Sequence, residues 1–100
     1  MTYRVRFTDE AREDLYELHE FLASENPRAA NDALATIERA LGLLELFPYA
    51  CRAASGSDST RIRELVIQFG RRGYVALFEI EPDDVVTIIA VRHQRESDYH

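Results

Sequence analysis

Val85-Val86-Thr87-Ile88-Ile89-Ala90-Val91 carries no charge and ends abruptly at Arg92-His93-Gln94-Arg95-Glu96. So short a run, rich in β-branched residues, reads as a buried strand. Alternate residues of a strand face opposite ways, so Val86, Ile88 and Ala90 oppose Val85, Ile89 and Val91, and both sides ask for apolar cover. A rigid strand that delivers arginines and a histidine at its exit is a platform for polar contacts. The competing reading is a core strand followed by a solvated tail, since charged strand ends are ordinary.

Upstream of this run, Pro82-Asp83-Asp84 is a turn signal and residues 74–80 form a further strand. Gly70-Arg71-Arg72-Gly73 is a second turn, and residues 61–69 alternate so that Arg63, Leu65, Ile67 and Phe69 share one face. Turns this short force antiparallel pairing. The pairing places Tyr74 near Val91 and Phe69 near Tyr74. Arg92, His93 and Arg95 then gather beside Arg71 and Arg72 at one end of the sheet, with Arg61 and Arg63 at the other. Residues 49–60, rich in Ala, Ser, Gly and Asp, read as a loop of about a dozen residues, near the length at which loops become functional or mobile.

The first half is helical. Residues 3–7 alternate as a half-buried strand with Tyr3, Val5 and Phe7 on one face. Thr8 is a candidate N-cap, followed by Asp9 and Glu10, which suit the positive end of a helix dipole. Ala11, Leu15, Leu18 and Leu22 recur at helical spacing, with Glu13, Glu17 and Glu20 toward the wet face. Asn26-Pro27 marks a second start, a capping Asn with Pro at the first helical position. Ala30, Ala33, Leu34, Ile37, Ala40, Leu41, Leu44 and Phe47 then trace an apolar stripe that Pro48 helps to stop. With only about three residues between them, the helices must fold back as an antiparallel hairpin. The order is β-α-α-β-β-β. The helical hairpin can bury its stripe only against one face of a mainly antiparallel four-stranded sheet, an α+β fold.

Composition bounds the function. The 100 residues suffice for one domain with a single core, taken to span residues 1–100. No segment approaches the roughly 18 apolar residues of a membrane span, and residues 1–6 lack a signal-peptide core, so a cytoplasmic protein is expected. The single Cys51 follows Pro48-Tyr49-Ala50 without a histidine or acid pattern around it and reads as a passive thiol of a reducing compartment. Twelve arginines face eighteen acids, giving a net charge of -6. A protein whose main task is gripping phosphates carries a basic surplus, and this chain does not.

Few constellations carry chemistry. The four glycines form no phosphate-cradling loop, and there is no nucleophile elbow. His19, His93 and His100 are too scattered for a metal site. Glu79 and Glu81 could pair as carboxylates but read as the solvated flank of the Asp83-Asp84 turn. No metal or cofactor is expected. The basic cluster of Arg92, His93 and Arg95 with Arg71 and Arg72 remains, able to hold phosphate or anchor a protein contact. Its alternative is local pairing of Arg95 with Glu96 or Asp98.

The ending from Val91 to Tyr99, the element order, Asn26-Pro27-Arg28-Ala29-Ala30, Arg63-Glu64-Leu65-Val66-Ile67 and Gly73-Tyr74 together resemble the ParE-type toxins of the RelE/ParE superfamily, type II toxin–antitoxin proteins known in plasmid stabilisation. The likeness covers nearly the whole chain; its specificity lies in the order and spacing of the pieces. RelE-like members cut mRNA on the ribosome and carry basic residues on the second strand and an arginine after the Gly-Tyr of the third. Those places are held here by Val66, Gln68 and Val75, none of which can move a proton or neutralise a phosphorane. ParE-like members resemble the chain better. They imply a non-catalytic poison of DNA gyrase, neutralised in a hetero-oligomer by a ParD-type ribbon-helix-helix antitoxin whose C-terminal segment wraps the toxin. The alternatives are a ribosome-dependent endoribonuclease and a non-toxic module that only binds an antitoxin. The target-binding residues expected are Arg92, His93 and Arg95 with Arg71 and Arg72, then Arg63 and Tyr99. Because Tyr99 nearly ends the chain, no C-terminal helix of the kind some relatives carry is expected.

Overall fold

In the computed structural model, which describes residues 2–54 and 61–93, β1 (Arg4–Phe7) leads into α1 (Asp9–Glu25) and α2 (Pro27–Gly42). Two short 3-10 turns, Leu43–Glu45 and Pro48–Ala50, precede β2 (Arg52–Ala53). The chain then forms β3 (Ile62–Phe69), β4 (Arg72–Glu81) and β5 (Val85–His93). The α+β architecture is as expected, with five strands in place of four. Their order is β1-β5-β4-β3-β2, antiparallel except where β1 runs parallel to β5. The added strand is two residues of the segment read as a loop, where Arg52 and Ala53 pair with Glu64 and Arg63. Two residues carry no usable period, which is why the pattern misses them. No helix of the described residues is long and apolar enough to cross a membrane.

Caps fix the helices. The Thr8 hydroxyl accepts from the Ala11 N–H at 3.1 Å, and the Asn26 side chain accepts from the N–H groups of Arg28 and Ala29. Asn26 alone links α1 to α2, so the two lie back to back, tied further by a 2.9 Å hydrogen bond between His19 and Asn31. The second helix is shorter than its apolar stripe: it stops at Gly42, and Phe47 ends up 62% exposed.

Both helices cover one face of the sheet. Ile37, Leu41 and Leu44 meet Ile67, Phe78 and Ile88 there in the main core. The pairing of β4 with β5 shifts between Leu77 and Phe78: Phe78 stands opposite Ile88 and Leu77 opposite Ala90, leaving Ile89 as an extra residue. This β-bulge reverses the alternation of β5 beyond it. Val91 therefore joins Val86 and Ile88 in the main core, whereas strict alternation assigns that side to Ala90. It also places His93, rather than Val91, opposite Tyr74.

Phe78 and Ile88 face each other across this pair with no exposed surface. Ile88→Ala is expected to lower unfolding free energy by about 2–5 kcal/mol, the range for emptying a well-packed aliphatic site. Urea denaturation followed by circular dichroism measures it; a loss under about 1 kcal/mol would show that β5 is not the centre of the core.

Candidate functional site

The bulge organises one end of the sheet. Beyond Phe7, β5 has no strand beside it on that edge, and α1 meets the edge instead. The Thr8 hydroxyl donates to the Ile89 carbonyl at 3.0 Å, and an Asp14 carboxylate oxygen accepts from the Val91 N–H at 2.9 Å. Between this part of α1 and the ends of β4 and β5 opens a cleft of about 1090 Å³. Leu18, Leu22, Tyr74 and Val91 give it apolar walls, and Asp14 and Glu17 line it from α1. Arg71, Arg72, Arg92 and His93 line it from the sheet.

Four of the seven residues singled out from sequence therefore share one cleft, in different settings. Arg71 is exposed as the second residue of the two-residue turn Gly70-Arg71, and the φ of 59° at Gly70 suits the glycine-first hairpin turn. Arg72 opens β4 on the helix side, where its guanidinium meets Glu25 at 3.1 Å and lies 5.8 Å over the Phe21 ring. His93 stands opposite Tyr74, and the two rings meet edge to face at 5.6 Å. Arg92 is opposite Val75, on the face away from the helices, and also lines the cleft. Neighbours in sequence, Arg92 and His93 thus belong to opposite faces of β5. Arg95 and Tyr99 lie outside the described residues.

Arg63 is elsewhere. Its guanidinium donates to the Cys51 carbonyl at 2.5 Å and lies 5.2 Å over the Tyr49 ring, holding the segment before β2 against β3. Burial pushes the Cys51 thiol up, with Arg63 opposing, so the thiol is a poorer nucleophile than an ordinary cysteine.

Tyr74 is the residue that sequence reasoning missed. It is 2% exposed, and its hydroxyl is closed to solvent with no hydrogen-bond partner. Burial raises its pKa, opposed first by the charge of the Arg72 guanidinium beside it and then by that group's close side-chain approach, which falls short of full hydrogen-bond geometry. An apolar-looking Gly-Tyr at a strand start gives no sign of this, because the orphaning depends on what packs around the ring.

The face away from the helices carries a cross-strand polar ladder. Arg6 Nε donates to Thr87 Oγ1 and its Nη2 meets Glu81, each at 2.8 Å. Arg61 meets Glu79 at 3.0 Å, and Arg52 meets the buried Glu64 at 2.6 Å. Glu79 and Glu81 are thus paired across strands rather than merely solvated. The apolar positions of this face, Val66, Val75, Leu77 and Ala90, form a short row further along.

Comparison with known proteins gives this arrangement its relatives. The family model described as the ParE toxin of the type II toxin–antitoxin system parDE matches residues 5–98. The chain belongs to the ParE toxin family. Toxin RelE3 of Caulobacter vibrioides is 37% identical over 87 residues, covering 86% of this chain and 88% of that one. The chromosomal ParDE toxin–antitoxin system of P. aeruginosa contains a chain matching 91% of this one and 95% of its own length, with a TM-score of 0.72 at 16% identity, a likeness of fold. The RelBE2 toxin–antitoxin complex of Mycobacterium tuberculosis contains one matching 93% and 99%, with a TM-score of 0.61 at 28% identity. A ParE-family toxin thus carries a cleft of mixed charge at the end of its sheet.

The polar ladder makes stability depend on acid. The Thr87 hydroxyl bound to Glu81, and then Arg6, hold the Glu81 carboxyl below its usual value of 4.5. A carboxyl depressed in the folded state contributes stability above its unfolded pKa and loses it as pH falls through the folded one. Below pH 4.5 the parent should therefore lose melting temperature more steeply than Glu81→Gln. Parallel acid limbs in thermal melts would show that Glu81 has no part in it.

Proposed function

We propose that this ParE-family toxin acts by protein contact, poisoning DNA gyrase without hydrolysing anything itself, and is neutralised by a ParD-type ribbon-helix-helix antitoxin. The observation that carries the reading is the row Val66–Val75–Arg92 across β3, β4 and β5. In RelE-like nucleases the resemblance places basic residues at the positions of Val66, Gln68 and Val75. Here one arginine stands beside two valines. A phosphodiester cleavage needs a group to take a proton and others to hold the developing charge. A single cation in an apolar row supplies neither. Arg71, Arg72, Arg92 and His93, with Arg95 and Tyr99 beyond the described residues, are then anchors of an interface, in which arginine's fork of donors is well suited to carboxylates and carbonyls.

Likeness to a relative named RelE3 and to a chain of a RelBE2 complex keeps the ribosome-dependent endoribonuclease as the second reading. Purified toxin should inhibit supercoiling by purified gyrase and stabilise its cleavage complex. Full supercoiling at large toxin excess would refute the gyrase target. Transcripts cut at defined codons in a translating extract would establish the nuclease, and harmless expression despite tight antitoxin binding would indicate a binding module.

The site residues carry their own test. Arg92→Ala and His93→Ala should each weaken target binding by about 1–2 kcal/mol, giving graded rather than all-or-none loss of toxicity. Being on opposite faces of β5, they should act nearly additively, within about 0.5 kcal/mol, in the double variant. Abolition of toxicity by one of them, with RNA cleavage by the parent, would contradict the contact mechanism.

A further inference from the structure

The Glu25–Arg72 contact ties the end of α1 to a residue that lines the cleft. Glu25 ends the helix with a side chain 55% exposed, and its carboxylate meets Arg72 Nη2 at 3.1 Å. Beneath lies Tyr74, whose buried hydroxyl has no partner. A buried hydroxyl left without a partner is costly and calls for an explanation in a native fold. Here the cation beside it, Arg72, is engaged by a carboxylate of the chain itself, while the hydroxyl proton has no acceptor.

We propose that Glu25 is an internal stand-in for an acidic side chain of the antitoxin. In the complex a carboxylate from the antitoxin's toxin-binding segment takes Arg72 from Glu25 and accepts a hydrogen bond from Tyr74, while apolar side chains next to it cover Leu18 and Leu22. This rests on the antitoxin partnership proposed above. Three features choose a protein carboxylate over a nucleic-acid phosphate. The intramolecular contact already shows Arg72 bound to a carboxylate. Asp14 and Glu17 line the same cleft and would repel a polyanion, whereas one acidic side chain can enter on the arginine side. The floor is apolar and suits a segment with an apolar face, flanked by the exposed ring of Phe21. Glu25 then serves two ends: it keeps Arg72 paired in the free toxin, and it sets a threshold that a poorly matched antitoxin does not cross.

The test uses the whole toxin and a ParD-type antitoxin, titrated by calorimetry. Glu25→Gln weakens the internal competitor and should bind antitoxin about 2–5-fold tighter, the scale of an exposed ion pair's contribution. Tyr74→Phe removes the orphan hydroxyl, so the free toxin should melt no lower than the parent, yet bind antitoxin about tenfold more weakly. One Asp→Asn or Glu→Gln change in the antitoxin should cost more than Tyr74→Phe, because it also releases Arg72, and should cost less in Tyr74→Phe than in the parent, the mark of a direct contact. Unchanged affinity in Tyr74→Phe, or unchanged or weaker binding by Glu25→Gln, overturns the proposal. So does stronger binding of an RNA oligonucleotide than of antitoxin. If Tyr74→Phe does not fold, Glu25→Gln decides alone. Failure of the parent toxin to bind the antitoxin at all would instead refute the partnership on which the proposal rests.

Discussion

One extra residue, Ile89, sets the geometry of the rest. Were β5 regular there, without the bulge, its alternation would continue past Ile88 and Val91 would turn away from the helices. With it, Val86, Ile88 and Val91 face the same core. A bulge disturbs the ladder, and buried peptide groups tolerate no vacancy. The fold answers with side chains of α1: Thr8 takes the Ile89 carbonyl and Asp14 takes the Val91 N–H. Because Thr8 also caps α1, one hydroxyl ties the start of the helix to the irregular point of the sheet. The angle at which α1 leaves the sheet, and with it the cleft, depends on that pair of contacts.

The arginines divide accordingly. Arg6, Arg52 and Arg61 join the carboxylate ladder on the face away from the helices, and Arg63 holds carbonyls of the segment before β2. Pairs of this kind contribute little individually when exposed, but they neutralise the strands and discourage pairing with foreign edges. At the end of the sheet arginines stand beside an open apolar cleft, opposite acids from α1. With a net charge of -6, the molecule lacks the long-range positive field that draws in polynucleotides. Recognition at this end is a matter of short-range fit.

Periodicity made most of the fold legible. The helix starts at Thr8 and Asn26, the three long strands and the gathering of Arg71, Arg72, Arg92 and His93 at one end were all readable, because caps, turns and alternation are local codes. What escaped were features fixed by three-dimensional neighbours. A bulge between two apolar runs leaves no mark on composition, so Val91 and Ala90 exchanged faces, and Arg92 and His93 beyond them did the same. Asp14 stands among the acids of an apparently wet helix face, and only the bulged N–H it meets sets it apart from Glu13 and Glu17. β2 is too short to have a period, and the second helix stops at Gly42 although its apolar spacing runs on to Phe47.

The treatment of polar groups separates the scaffold from the site. Where the fold buries polarity, it answers it: Glu64 is met by Arg52, Thr87 by Arg6 and Glu81, Asp14 by a backbone N–H. Among the described residues Tyr74 is the exception in having a buried side-chain polar atom without a partner. Phenylalanine would fill the same space without the unmet hydroxyl, which costs about 1–3 kcal/mol against a typical domain stability of 5–15. A local rule broken at one place in an otherwise consistent structure points to function at that place. Here the place is a cleft lined by three arginines and a histidine, where the hydroxyl lies closed to solvent beside Arg72 in the free fold.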